Sequence, residues 1–115
     1  MNHQLDQKVL DEIVEQIVRV LDPERIILFG SHARGEAGPD SDVDLLVVAE
    51  VADPDGFRTI AVRRALGTPA FSVDLLVVTP DEWEMWHQFV NTVMGQAHKY
   101  GKVLYEQQRA SAVVG

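Results

Sequence analysis

Gly30 and Ser31 close the apolar run Ile26 to Phe29, and ten residues further on Asp42-Val43-Asp44 heads a second apolar run. A glycine at that turn lets the backbone come close to an anion, and the serine hydroxyl and the N–H groups of a following helical turn can donate to phosphate oxygens. Arg34, one turn on, is placed to pair with the same oxygens. Side chains alternate along a strand, so Asp42 and Asp44 project to one face. Carboxylate oxygens suit hard divalent cations such as Mg²⁺. The hexapeptide from Val43 to Val48 recurs letter for letter from Val73 to Val78. If the two strands are neighbours, Asp74 joins the other two acids. Three carboxylates in one cleft repel and raise one another's pKa values unless cations sit among them. Alone, the Gly-Ser pair reads as an ordinary strand-to-helix turn, and a lone strand-end aspartate as a solvated cap. In combination they point to displacement on a nucleoside triphosphate assisted by two metal ions. Asp42 and Asp44 would reach both ions, and Asp74 would complete one site and orient or deprotonate the nucleophile.

The elements that must position these residues alternate between helix and strand. Leu5, Val9, Ile13, Ile17 and Leu21 recur every fourth residue and predict an opening amphipathic helix, which Asp22-Pro23 ends. Strands are expected at Ile26 to Phe29, Val43 to Val48 and Phe71 to Val78. A short helical turn is expected at Ser31 to Gly35 and a loop from Glu36 to Ser41. Asp53-Pro54 starts a helix that Gly67 stops. Thr79-Pro80-Asp81-Glu82 has the form of a capping box. The spacing of Trp83, Trp86, Val90, Val93 and Ala97 predicts one long helix ending at Gly101, followed by a short edge strand at Val103 to Tyr105.

Composition sets limits on the function. The chain has 115 residues, of which 46% are hydrophobic and 24% charged, as in an ordinary globular domain. Ten basic residues against eighteen acidic ones give a formal net charge of -8. That balance argues against direct nucleic-acid binding, which needs a basic surface to displace counterions. It suits metal binding or docking on a basic partner. The absence of cysteine excludes a disulfide framework and thiol chemistry. Asp6, Asp11 and Glu12 stand where a signal peptide would be basic and then apolar, and no apolar run reaches membrane-spanning length. A cytoplasmic location and no membrane association are the expectation.

The pattern Gly30-Ser31, ten residues, Asp42-x-Asp44, with Asp74 on a later strand, resembles the DNA polymerase beta-like nucleotidyltransferase superfamily. The Ala33-Arg34-Gly35 continuation, the length and the closing Val103-Leu104-Tyr105-Glu106 resemble its smallest members, the minimal nucleotidyltransferases. The resemblance implies an α+β fold, a small mixed β-sheet backed by helices, in a domain over residues 1–106 with a loose tail over 107–115. It implies that Asp42, Asp44 and Asp74 are catalytic and bind two Mg²⁺ ions, and that Gly30, Ser31 and Arg34 bind the nucleotide, ATP by default. It further implies a hetero-oligomer with a HEPN-type RNase toxin. In that pairing AMP passes to a toxin tyrosine, and the chain acts as the antitoxin. Two alternatives stay open: a small hydroxylated acceptor, or an antitoxin that masks its partner by contact alone.

Other residues carry less. His32 lies inside the motif and can touch phosphate or base. His87 and His98, eleven apart on the predicted long helix, read as surface or packing histidines. Arg58, Arg63 and Arg64 read as a solvated helix face, and Trp83 and Trp86 as core or interface.

Overall fold

The computed structural model describes residues 7–36, 42–50 and 73–107. The expected helix from Asp53 to Gly67, with Arg58, Arg63 and Arg64, lies outside the described residues, as do most of the 36–41 loop and residues 108–115.

The opening helix, α1 (Gln7–Leu21), buries Leu10, Ile13, Ile17 and Leu21, the stripe that a spacing of three and four predicts. It stops where Asp22 takes a left-handed φ of 46° and its N–H bonds to the Val18 carbonyl at 3.0 Å. An aspartate tolerates that conformation, and Pro23 cannot continue the helix.

Among the described residues four strands form one mixed sheet: β1 (Arg25–Phe29), β2 (Val43–Val48), β3 (Val73–Val78) and β4 (Lys102–Glu106), in the order β3-β2-β1-β4. β1 pairs antiparallel with β2 and β4, and β2 pairs parallel with β3. The short helix α2 (Ser31–Arg34) follows β1. One sheet face, bearing Ile26, Leu28, Val43, Leu45, Val47, Leu75 and Val77, packs against Ile13, Ile17 and Leu21 of α1. The other, bearing Ile27, Leu46, Val48 and Val78, packs against Trp83 and Ala97 of the C-terminal helices. Cover on both faces explains why β1 and β2 read as continuous apolar runs. The α+β class and the mixed sheet backed by helices are therefore as expected from sequence.

The single long helix expected after Thr79 is instead two, α3 (Pro80–Trp86) and α4 (Val93–Tyr100). The capping box starts α3 as expected: the Glu82 N–H donates to the Thr79 hydroxyl at 3.2 Å, and the Thr79 N–H donates to the Glu82 carboxylate at 2.9 Å. A second cap breaks the run. The Thr92 hydroxyl accepts from the Gly95 N–H at 3.0 Å and donates to the Phe89 carbonyl at 2.7 Å. Gly95 permits the break, because any Cβ there would collide with the Phe89 backbone. An apolar stripe at helical spacing cannot distinguish one helix from two with the same inward face. The local cap decided it.

The edge strand β4 ends in a set of ties to the start of β1. Arg25 pairs with Glu106 at 3.0 Å, and the Gln107 N–H donates to the Glu24 carbonyl at 2.8 Å.

Candidate active site

The end of the sheet where β1 finishes and β2 and β3 begin collects the candidate residues. Phe29 pairs with Asp44, and Asp44 with Asp74, in unshifted register. Parallel in-register neighbours point the same way, so Asp44 and Asp74 lie side by side on the face that also carries Leu46 and Val48. Asp42 stands just ahead of β2 and is exposed, as is Asp74, whereas Asp44 is half-buried.

Gly30 makes the turn from β1 into α2 with φ 76° and ψ -154°, a region open in practice only to glycine. A Cβ at this position would overlap the Asp44 carboxylate and come within 3.1 Å of its Cγ. The glycine thus serves the turn and also leaves space for the central acid. α2 is a single turn whose first N–H groups, by helix geometry, have no carbonyl of their own helix to bond. It closes through Glu36 N–H to the Ser31 carbonyl at 2.9 Å, with Gly35 in the left-handed conformation.

Electrostatics mark Asp44 as the strained member of the set. Burial raises its pKa above the usual carboxylate range, the negative charges of Asp74 and then Asp42 raise it further, and His32 and Arg34 oppose the shift. The charges of Asp74, Asp42, His32 and Arg34 therefore all bear on Asp44. The Arg34 guanidinium is held by Glu36 at 2.9 Å, an exposed pair. Such pairs contribute about 0–1 kcal/mol, so phosphate can take the place of Glu36 at small cost.

Two clefts open beside Phe29. One, of about 340 Å³, is lined by Phe29, Val73, Asp74, Leu75 and Leu76. The other, of about 290 Å³, runs between the Gly30-Ser31 turn and α4 and is lined by Phe29, Gly30, Arg34, Asn91, Thr92, Val93, Gln96 and Tyr100. Sequence reasoning missed Glu36 and the contribution of Asn91 to Tyr100. The only hint was Asn91-Thr92 as a capping pair inside an apparent helix.

Among the described residues, no three His, Cys, Asp or Glu side chains converge on one cation position as they stand. The donor set nevertheless fits magnesium. That ion prefers oxygen ligands and commonly takes one or two carboxylates, leaving its other positions to water and substrate phosphates. The crowding that destabilises the Asp44 carboxylate is what a cation between Asp44, Asp74 and Asp42 would relieve.

His87 and His98 do not belong to this site, and they sit on separate segments rather than one helix face. The His87 ring stacks on Trp83 with centroids 5.3 Å apart, and its Nδ1 lies 2.7 Å from the Trp83 carbonyl. His98 meets it edge-on at 4.9 Å. The Arg25 guanidinium lies over the same Trp83 ring, and Arg25 pairs with Val48, at the end of the sheet remote from Asp44. Trp83 is buried in the core, and Trp86 is exposed.

A family model described as a nucleotidyltransferase domain matches residues 8–109. Comparison with curated proteins yields no match. Among solved structures, one of a toxin–antitoxin with AMP-PNP superposes with a TM-score of 0.60 at 22% identity, covering 95% of this chain and 80% of that one. A mutant of the toxin–antitoxin MntA-HpeT gives 0.56 at 23% identity, covering 96% and 80%. A protein assigned as a nucleotidyltransferase from Sulfolobus solfataricus gives 0.56 at 20% identity, covering 87% and 79%. At these identities the likeness is one of fold. No helix among the described residues is long and apolar enough to cross a membrane.

Proposed function

The chain belongs to the nucleotidyltransferase domain family, and from that premise we propose that it transfers AMP from ATP to a protein hydroxyl. The acceptor we propose is a tyrosine of a HEPN-type toxin, which the chain silences as an antitoxin in a hetero-oligomer. The observation that carries the reading is the in-register pairing of Asp44 with Asp74 beside a glycine turn that only glycine can make.

Gly30, Ser31 and the first turn of α2 hold the triphosphate, with Arg34 released from Glu36 to pair with its oxygens. Asp42, Asp44 and Asp74 would hold two magnesium ions, which would supply Lewis-acid stabilisation of the attacking and leaving oxygens. Asp74, the exposed acid at the mouth of the cleft, orients the acceptor hydroxyl and takes its proton. The hydroxyl oxygen forms a bond to the α-phosphorus as the bond to the bridging oxygen breaks, and pyrophosphate leaves. The toxin–antitoxin structures of the same fold support the choice of a protein acceptor. The acidic balance of the chain suits a basic partner and a cytoplasmic setting without direct nucleic-acid contact.

The test is incubation with ATP, Mg²⁺ and a purified HEPN-type toxin, read by intact mass and peptide mapping. An adenylate on a partner tyrosine is expected. Modification that survives combined Asp42→Asn and Asp44→Asn would refute the mechanism. Toxin neutralisation without modification would favour masking by contact, a reading that the exposed Trp86 and Phe89 also favour.

A further inference from the structure

Eight large hydrophobic residues are exposed among the described residues, and six of them lie between Met85 and Tyr100. Met85, Trp86, Phe89, Val90, Val93 and Tyr100 form a corner made by the end of α3, the 87–92 turn and α4. Trp86 and Phe89 meet with ring centroids 5.9 Å apart, so the two rings present one aromatic surface. Trp83 on the same helix is turned inward and buried, so α3 needs no further apolar residue to hold it to the sheet. Isolated exposed hydrophobics need no explanation, but six on one helix-turn-helix segment, rich in aromatic side chains and methionine, have the composition of an interface centre.

We propose that this corner is the surface on which the acceptor protein docks. The inference rests on the transfer reaction proposed above and assigns that reaction's protein substrate a place. The occupant is argued from continuity. Val93 and Tyr100 belong to the corner and also line the cleft shared with Gly30 and Arg34. A protein seated on the corner therefore stands beside the cleft that holds Gly30 and Arg34, next to the proposed nucleotide site. Asp81, Glu82 and Glu84 on the exposed side of α3 border the corner. The fitting partner presents an apolar centre with a rim of lysine or arginine, which agrees with the net charge of -8.

The experiment pairs Trp86→Ala with Phe89→Ser, neither of which touches the carboxylates or the phosphate turn, and uses Glu15→Lys on α1 as the control. The probe is a purified HEPN-type toxin, the acceptor class proposed above. Complex formation is measured by calorimetry, transfer by initial rates, and Mn²⁺–ATP binding by thermal shift. The double variant is expected to raise both the Kd of the complex and the KM for the protein acceptor about ten-fold or more. Its kcat at saturating acceptor, its nucleotide-dependent thermal shift and its unfolding midpoint should match the wild type. Wild-type affinity and KM in the double variant would overturn the proposal. So would a wild-type chain that is dimeric alone and monomeric as the variant, which would assign the corner to self-association. A large fall in the variant's unfolding midpoint would assign the corner to cover by this chain itself and would also overturn it. If the wild type binds the partner but transfers nothing while the variant fails to bind, the docking surface stands and the transfer reaction falls.

Discussion

β2 and β3 carry the same six residues, Val-Asp-Leu-Leu-Val-Val, paired position for position in one sheet, and yet they are different structures. β2 lies between β1 and β3 and is covered on both faces; β3 has one strand neighbour among the described residues. Leu46 is fully buried, whereas its counterpart Leu76 is 37% exposed. Asp44 is half-buried and its pKa is raised, whereas Asp74 stands in solvent at the cleft mouth. Identical chemistry is thus divided by position into a central acid that needs a counter-charge and a peripheral acid able to meet an incoming hydroxyl. The division also implies that function and stability are weighted differently on the two strands.

The largest expected effect concerns function. Asp44→Asn or Asp74→Asn should each lower the rate of adenylate transfer by about 10²–10⁴-fold, measured from initial rates with purified acceptor. Retention of activity by either variant would remove that acid from the proposed reaction. Next comes packing. Leu46→Ala should destabilise by about 2–5 kcal/mol in urea unfolding, while Leu76→Ala should change stability by roughly 0.5 kcal/mol. Equal losses would mean that β3 is covered as fully as β2. Gly30→Ala tests the support that only the β2 acid has. Backbone strain alone should cost about 1–3 kcal/mol, and the overlap with Asp44 should reduce ATP-dependent thermal stabilisation further than any substitution beside Asp74.

The smallest effect is electrostatic and sharpens the contrast most. Because the pKa of Asp44 is raised on folding, the metal-free native state holds that proton more tightly than the unfolded chain. The stability contributed by this group is present below about pH 4 and is lost as pH rises through the raised folded value. Asp44→Asn should remove that segment of the pH–stability curve, leaving the variant more stable than metal-free wild type near neutrality. Added Mg²⁺ should stabilise the wild type and not the variant. Urea midpoints across pH 3–8, with and without metal, check both statements.

Legibility from sequence followed how local the cause was. Gly30-Ser31 as a strand-to-helix turn, the Thr79–Glu82 capping box and the stop at Asp22 are each set largely by near neighbours in the chain, and as local backbone features each stands as read. β1 and β2 were legible because two-sided burial demands unbroken apolar runs, and β3 because it repeats the hexapeptide of β2. The division of the C-terminal helix at Thr92 was not, because an inward apolar stripe survives a change of direction. The approach of His87 to His98 depended on that same break.

The sequence by itself determined the kinds of element, the glycine-only turn and an excess of carboxylates suited to a cation. Only the tertiary structure decided that the two copies of Val-Asp-Leu-Leu-Val-Val lie parallel and in register, which of them is central, and that α4 folds back to wall a cleft with Gly30 and Arg34. The reason is that strand pairing and helix return are chosen by the summed packing of residues far apart in the chain, and period-two or period-four patterns carry no record of their partners. A repeated hexapeptide announced two similar strands. The sheet made one of them the support of the charge and the other, among the described residues, its more exposed flank.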